Sequence, residues 1–175
     1  MATRKRAYQQ GSLDGLCGLY AITNAFRRTA DLPQTEAKKL FHYMVKAHKD
    51  EIPAYMRHGT TSGELMPFLK SARDWVKRNH NVKIKWKYRG REEVKSVTGL
   101  QKIVARHLRS KSRGTVIAGS SFHWTVVHQR QDNLWFVDDS DGYEFWYTTS
   151  KKWAHKPPLL IDRPTLMGFF LEKED

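Results

Sequence analysis

Leu13 to Phe26 reads LDGLCGLYAITNAF, a glycine-bearing turn feeding straight into an apolar stretch. From Gly15 to Arg28 the residues Leu16, Leu19, Tyr20, Ala21, Ala25 and Phe26 make a mostly buried helical face, so the spacing predicts a central helix opening close to Cys17. Cys17 is the only cysteine, which excludes an internal disulfide and a multi-thiolate zinc site. A lone cysteine is ordinarily a small buried hydrophobe. In the first turn of a helix, however, it sits among free backbone N–H groups, where the helix dipole favours the thiolate and the same N–H groups can hold a developing oxyanion.

Downstream, the polar run Thr29 to Pro33 ends this helix, and Thr35 is expected to cap a second one reaching Lys49 with Leu40, Phe41, Met44 and Val45 inward. Asp50 to Thr60 holds Pro53 and Gly59 and reads as loop. Thr61 and Glu64 form a T-x-x-E capping box opening a helix to Asn79, in which Pro67 calls for a later start or a kink. Val82 to Arg89, VKIKWKYR, alternates strictly and predicts a strand with Val82, Ile84, Trp86 and Tyr88 on one face and Lys83, Lys85, Lys87 and Arg89 on the other. Thr98 to Ser110 carries Leu100, Ile103, Val104, His107 and Leu108 at helical spacing. Beyond it, strands are expected over Thr115–Ala118, Phe122–His128, Leu134–Asp138, Tyr143–Tyr147 and Leu166–Leu171, with turn signals at Asp132-Asn133 and Asp141-Gly142 and an exposed loop over Lys151–Pro158. Helices first and an antiparallel meander afterwards argue an α+β fold, a single domain over residues 1–175.

Apolar residues at 39% and aromatics at 12% exclude a disordered chain. No apolar run approaches the roughly 18 residues that span a bilayer, so no membrane partner is expected. The start MATRKRAYQQ lacks the apolar stretch of a signal peptide, so the expected location is cytoplasmic, with leaderless secretion left open. The 31 Lys and Arg against 18 Asp and Glu give a net charge of +13, enough to attract polyanions or acidic protein surfaces.

A nucleophilic thiol needs a base within hydrogen-bond reach, and the base needs a third group to fix its tautomer. His123 opens the apolar stretch FHWTVV, and the next strand, LWFVDDSD, ends in Asp138 and Asp139. If these strands pair through a turn over Gln129 to Asn133, the end of the second lies beside the start of the first. Alternation lets one of the two carboxylates reach His123, and counting over a five-residue turn leaves open which.

In this order, Cys on a helix start, His on a strand and Asp on its neighbour, the chain resembles the papain-like cysteine peptidases. LDGLCGLYAITNAF is similar to the nucleophile helix of the Josephin deubiquitinases and to that of the bacteriocin-leader-processing peptidases; HWTVV and WFVDDS are similar to their His and acid segments. The resemblance implies a papain-like fold, a helical lobe with a central nucleophile helix packed on an antiparallel sheet. It implies a thiol protease with Cys17, His123 and Asp139 as catalytic triad, Asp138 in reserve, and Gln10 as oxyanion donor, one residue farther from the Cys than the family pattern. It also implies a polypeptide substrate joined by an amide or isopeptide bond. The +13 charge adds a preference for acidic sequence or an acidic partner, and the resemblance implies a ubiquitin-like one as the alternative.

The remaining residues take plainer readings. His107 lies on an apolar helical stripe and reads as a satisfied boundary imidazole; His128, five residues after His123, faces the other side of the strand. No His-x-x-x-His or carboxylate cluster stands at metal spacing, so neither metal nor other cofactor is expected. Trp124, Trp135 and Trp146 read as core, with one available to wall a cleft, and Ser120, Ser121 and Ser140 lack a nucleophile elbow. The row Lys83, Lys85, Lys87 and Arg89 is either the solvated face of an edge strand or a docking face for an acidic protein or nucleic acid, the latter without a supporting motif. Competing functions are a transglutaminase, deamidase or peptidoglycan amidase built on the same thioester, or a non-catalytic basic domain that binds nucleic acid or peptide. A monomer is expected.

Overall fold

The computed structural model describes residues 15–89, 97–110, 114–119, 123–131, 134–140, 145–147 and 167–174. Gln10, the Asp132-Asn133 and Asp141-Gly142 turns, Ser120, Ser121 and the loop expected over Lys151–Pro158 lie outside them. Five helices and six strands are present among the described residues: α1 Cys17–Thr29, α2 Gln34–Ala47, α3 Ile52–His58, α4 Ser62–His80, β1 Ile84–Arg89, α5 Val97–Ser110, β2 Thr115–Gly119, β3 Trp124–Gln131, β4 Leu134–Asp138, β5 Phe145–Tyr147 and β6 Met167–Lys173. The strands form one antiparallel sheet in the order β1-β6-β2-β3-β4-β5. The fold is α+β, as expected.

The helix α1 is central because nearly every side chain on it is buried. Leu19, Ile22, Ala25 and Phe26 are fully enclosed, and the polar members of the helix find partners inside. Thr23 Oγ1 donates to the Leu19 carbonyl at 2.8 Å, and Thr29 shares a 2.9 Å hydrogen bond with Thr115 of β2, so burial does not leave these hydroxyls unsatisfied. One side of α1 meets α2 and α4; the other lies on β2, β3 and β6. Ile117, Trp124, Val126, Phe169 and Leu171 form that face of the sheet. The opposite face, with Val116, Ala118, Val127, Trp135, Val137 and Phe170, packs under Ile103, Val104 and Leu108 of α5. Val116 and Ile117, or Val126 and Val127, thus divide between two cores, as the alternation of a strand requires. The sheet is covered on both faces, and the helical lobe occupies one of them.

Several local expectations are corrected. The segment Asp50–Thr60 is not a loop but contains α3, with Pro53 in its first turn and Gly59, at φ 74°, just past its end. Both residues are breakers inside a helix and favourable at these two edges, so here they bracket a helix. Thr35 does not cap α2: Pro33 holds the cap position in extended conformation and Thr35 lies inside the first turn. The Thr61–Glu64 capping box forms as read, with Glu64 N–H donating to Thr61 Oγ1 at 3.3 Å and Thr61 N–H to Glu64 Oε2 at 2.7 Å. It fixes the start of α4 at Ser62, and Pro67 is carried inside the helix, neither delaying its start nor ending it. The meander is interrupted too, because β6 inserts between β1 and β2.

Candidate active site

Cys17 is the first residue of α1. Leu16, ahead of it, offers its carbonyl to the N–H groups of Leu19 and Tyr20 at 2.9 and 3.1 Å, so the N–H groups of Cys17 and Gly18 point out of the open end of the helix. The approach to this end is braced by α3, whose Met56 carbonyl accepts from Gly15 N–H at 3.2 Å. Gly18 is a glycine for space. A Cβ there would press on the Thr60 hydroxyl and stand 2.6 Å from Leu65 Cδ2, so α4 and its cap can lie this close only to a bare backbone. Trp124 closes the same corner, 3.5 Å from that Cβ position, with its indole N–H donating to the Thr60 carbonyl at 2.8 Å. Of the three tryptophans proposed as core or cleft wall, Trp124 and Trp135 are buried, and Trp124 walls the Cys17 end of α1.

His123 is not inside β3 as expected but stands immediately before it, where the chain is released from the ladder. Its Nε2 lies 3.1 Å from both carboxylate oxygens of Asp139, itself the residue immediately after β4. The Cys17 thiol is the second group that acts on the titration of this imidazole. With Nε2 committed to Asp139, Nδ1 is the ring nitrogen left for the thiol. Burial by itself would depress the imidazole, but the hydrogen bonds to Asp139 and Cys17 and the charges of those groups outweigh it, and the pKa is raised to about 10. At neutral pH the ring is therefore an imidazolium between two potential anions. Cys17, His123 and Asp139 are all buried, with Asp139 fully so.

Asp138, the reserve acid, is placed elsewhere. Its side chain receives Arg28 in a two-pronged ion pair, through Nε and, at 2.7 Å, through Nη2; His128 Nε2 stands 3.8 Å away. Alongside, burial holds the Arg27 guanidinium below its ordinary range, the Asp138 charge working against that and the Arg28 charge with it. The arrangement follows from the β3–β4 register. The strands pair as far as Gln131↔Leu134, so the connection is only two residues long and not the five expected over Gln129–Asn133, and a bulge between Val127 and Gln129 shifts the pairing by one residue. A count from the turn without the bulge gives the wrong partner. His128 sits beside Asp138.

His107 has the plain role read for it, its Nε2 2.9 Å from the Leu171 carbonyl and its ring edge-on to Phe170 at 5.3 Å. No group of three His, Cys, Asp or Glu among the described residues is placed to hold a metal ion, and no described helix is long and apolar enough to cross a membrane. The basic row lies on the edge strand: Lys83, Lys85 and Lys87 are exposed, Arg89 lies over the Phe170 ring at 5.9 Å, and Trp86 and Tyr88 contact Phe169 on the other face. Lys85, Lys87 and Arg89 of this row line a groove of about 610 Å³ against α5, and Cys17 is not among its described lining residues. Sequence reasoning placed the row but not the groove, since Arg106 and His107 join it only through the packing of α5.

No protein-family model matches the chain, and no curated protein matches it. Among solved structures it is similar to a double glycine motif protease from an AMS/PCAT transporter, crystallised in complex with the leader peptide. The TM-score is 0.47 and the identity 11%, over 98% of this chain and 94% of that chain.

Proposed function

We propose that this chain, as one papain-like domain over residues 1–175, is a cysteine peptidase or isopeptidase that cleaves an amide bond in a polypeptide through Cys17, His123 and Asp139. The observation that supports it above all is the His123 ring, bonded at Nε2 to a buried carboxylate and raised in pKa by that carboxylate and by the thiol at the open end of α1. A buried carboxylate in this position fixes the tautomer and stabilises the imidazolium. The imidazolium already holds the thiol's proton at Nδ1, and the thiolate attacks the substrate carbonyl carbon. The resulting oxyanion faces the N–H groups of Cys17 and Gly18, joined, on the resemblance to the family, by Gln10. His123 returns the proton to the leaving amine, which departs and leaves a thioester on Cys17. Water, deprotonated by the same imidazole, attacks the thioester, and collapse restores the thiol and releases a carboxylic acid.

Alkylation by iodoacetamide at mildly acidic pH tests this reading without a known substrate, because an ordinary thiol is protonated there. Stoichiometric modification at Cys17, slowed to the rate of a free thiol in His123→Ala, is the expected result. In parallel, mass spectrometry of a peptide library incubated with the protein is expected to find cleavage products that Cys17→Ala does not make. A wild-type thiol that reacts only after unfolding, or products that persist in Cys17→Ala, would overturn the assignment.

A further inference from the structure

Among the described residues, β1 stands at the end of the sheet. β6 pairs along one side of it from Ile84↔Lys173 to Arg89↔Gly168, and among the described residues no strand pairs along the other. The Glu174 N–H donates to the Lys83 carbonyl at 2.9 Å, which fixes the phase of the ladder. Counting in twos, Lys85, Lys87 and Arg89 turn their N–H and C=O groups toward β6, whereas Ile84, Trp86 and Tyr88 turn theirs toward the open edge. The side chains divide the same way. Ile84, Trp86 and Tyr88 lie on the α1 face, and Lys85, Lys87 and Arg89 form a cationic row over the α5 face.

That row floors the groove against α5, where Arg106 adds a fourth cation and Glu172, held by Lys85 at 3.2 Å, is the one carboxylate among the described lining residues. On the other side of β1 a second hollow, of about 360 Å³, sets Arg73, Lys77, Lys83 and Lys85 against Asp74 and Glu174. Cations on an edge strand discourage pairing with a second copy of the same strand, since like charges would stand opposite one another. The same row favours a strand of opposite charge. A small anion, or a nucleic acid, would engage the cations and leave the backbone edge idle; an extended polypeptide engages both.

We propose that β1 docks an extended acidic segment of another polypeptide by strand addition. Asp or Glu at every second position would lie over Lys85, Lys87 and Arg89, with apolar or aromatic residues between them beside Trp86 and Tyr88. Two strands separate β1 from β3, a distance of about 14 Å across the sheet, so this is a docking site apart from Cys17. It does not rest on the activity proposed above and holds equally for an inactive chain.

Fluorescence anisotropy on the Cys17→Ala protein, with a labelled octapeptide alternating Glu and Val, tests the proposal. The peptide is expected to bind at least about tenfold more tightly than a scrambled peptide of the same composition, from three cross-strand charge pairs. The double variant Lys85→Glu/Lys87→Glu, with folding verified by circular dichroism, is expected to lose at least about as much. N-methylation of alternate backbone nitrogens separates strand addition from general electrostatic capture. Methylation in one phase is expected to abolish binding and in the other to spare it, because only alternate N–H groups of an added strand face its neighbour. Equal binding of the two methylated peptides, equal binding of the scrambled peptide, or a preference for a single-stranded oligonucleotide would each overturn the proposal.

Discussion

Asp138 is the last residue of β4 and Asp139 the first beyond it, and that single step separates two buried ionic clusters of different construction. Asp138 still belongs to the ladder, opposite Val126, and its carboxylate meets Arg28 in the last turn of α1. Asp139 has left the ladder and reaches His123, which stands just before β3, while Cys17 begins α1. The Asp138 cluster therefore joins groups held within regular elements, and the Asp139 cluster joins groups at element ends. Side chains at element ends are freed from the pleat and can converge, but their positions depend on what fixes those ends. The Arg28–Asp138 pair does part of that fixing, tying the far end of α1 to the end of β4 beside Asp139.

The sharpest way to break this comparison is to neutralise each carboxylate in turn. Asp139→Asn is expected to lower Cys17-dependent cleavage by about two to four orders of magnitude, as loss of a tautomer-fixing acid does. Asp138→Asn is expected to lower it less than about tenfold while reducing stability, because it weakens an ion pair and leaves the imidazole row intact. Peptide cleavage and thermal melts on both variants decide the matter, and a reversed ranking in folded protein would transfer the acid role to Asp138.

Titration adds a second contrast, with the next largest effect. Because His123 is raised to about 10 in the folded protein against about 6.5 in an unfolded chain, its contribution to stability is full below pH 6.5 and is lost as pH rises through about 10. The loss amounts to at most about 5 kcal/mol. Denaturant melts across this range should show it in the wild type and not in His123→Gln. The alkaline limb of the cleavage profile should likewise fall near pH 10. In Asp139→Asn, where burial is no longer offset by that carboxylate, the limb should move down by more than one unit.

Third in size is the tie itself. Arg28→Met leaves a buried carboxylate with His128 and the Arg27 guanidinium nearby but without its two-pronged partner, and is expected to cost about 2 to 3 kcal/mol, below the full value for a buried pair because the Arg28 side chain is partly exposed. A double-mutant cycle with Asp138→Asn measures the coupling; additive losses would show that the pair ties nothing.

The sequence made some of this legible. The apolar spacing of α1 and the Thr61–Glu64 box depend on neighbours along the chain, and both formed where they were read. The three candidate residues could be singled out for another reason, that thiol, imidazole and carboxylate are scarce chemistry in scarce settings. The choice between Asp138 and Asp139 was not fixed by the residues' own pattern, because the bulge near His128 has no signature in the run TVVHQRQ and shifts every later pairing. The place of β6 between β1 and β2 was equally hidden, since it depends on contacts between segments far apart in sequence. α3 was missed because Pro53 and Gly59 carry opposite meanings inside a helix and at its edges.

The smallest predicted effect tests how tightly the end of α1 is held. In Gly18→Ala the new methyl group meets Leu65 and the Thr60 hydroxyl, and its third neighbour is the Trp124 ring. Both close contacts are to side-chain ends, which must shift by more than a few tenths of an ångström, so the expected cost is about 1 to 2 kcal/mol, within the range for overpacking. The indole of Trp124 should register the shift, because its hydrogen bond to the Thr60 carbonyl must lengthen if Thr60 retreats. A melt lowered by this amount with a changed tryptophan emission and slower Cys17 alkylation would show that the row is held by packing at the Cys17 end. Unchanged alkylation would leave the Arg28–Asp138 tie as the constraint that matters.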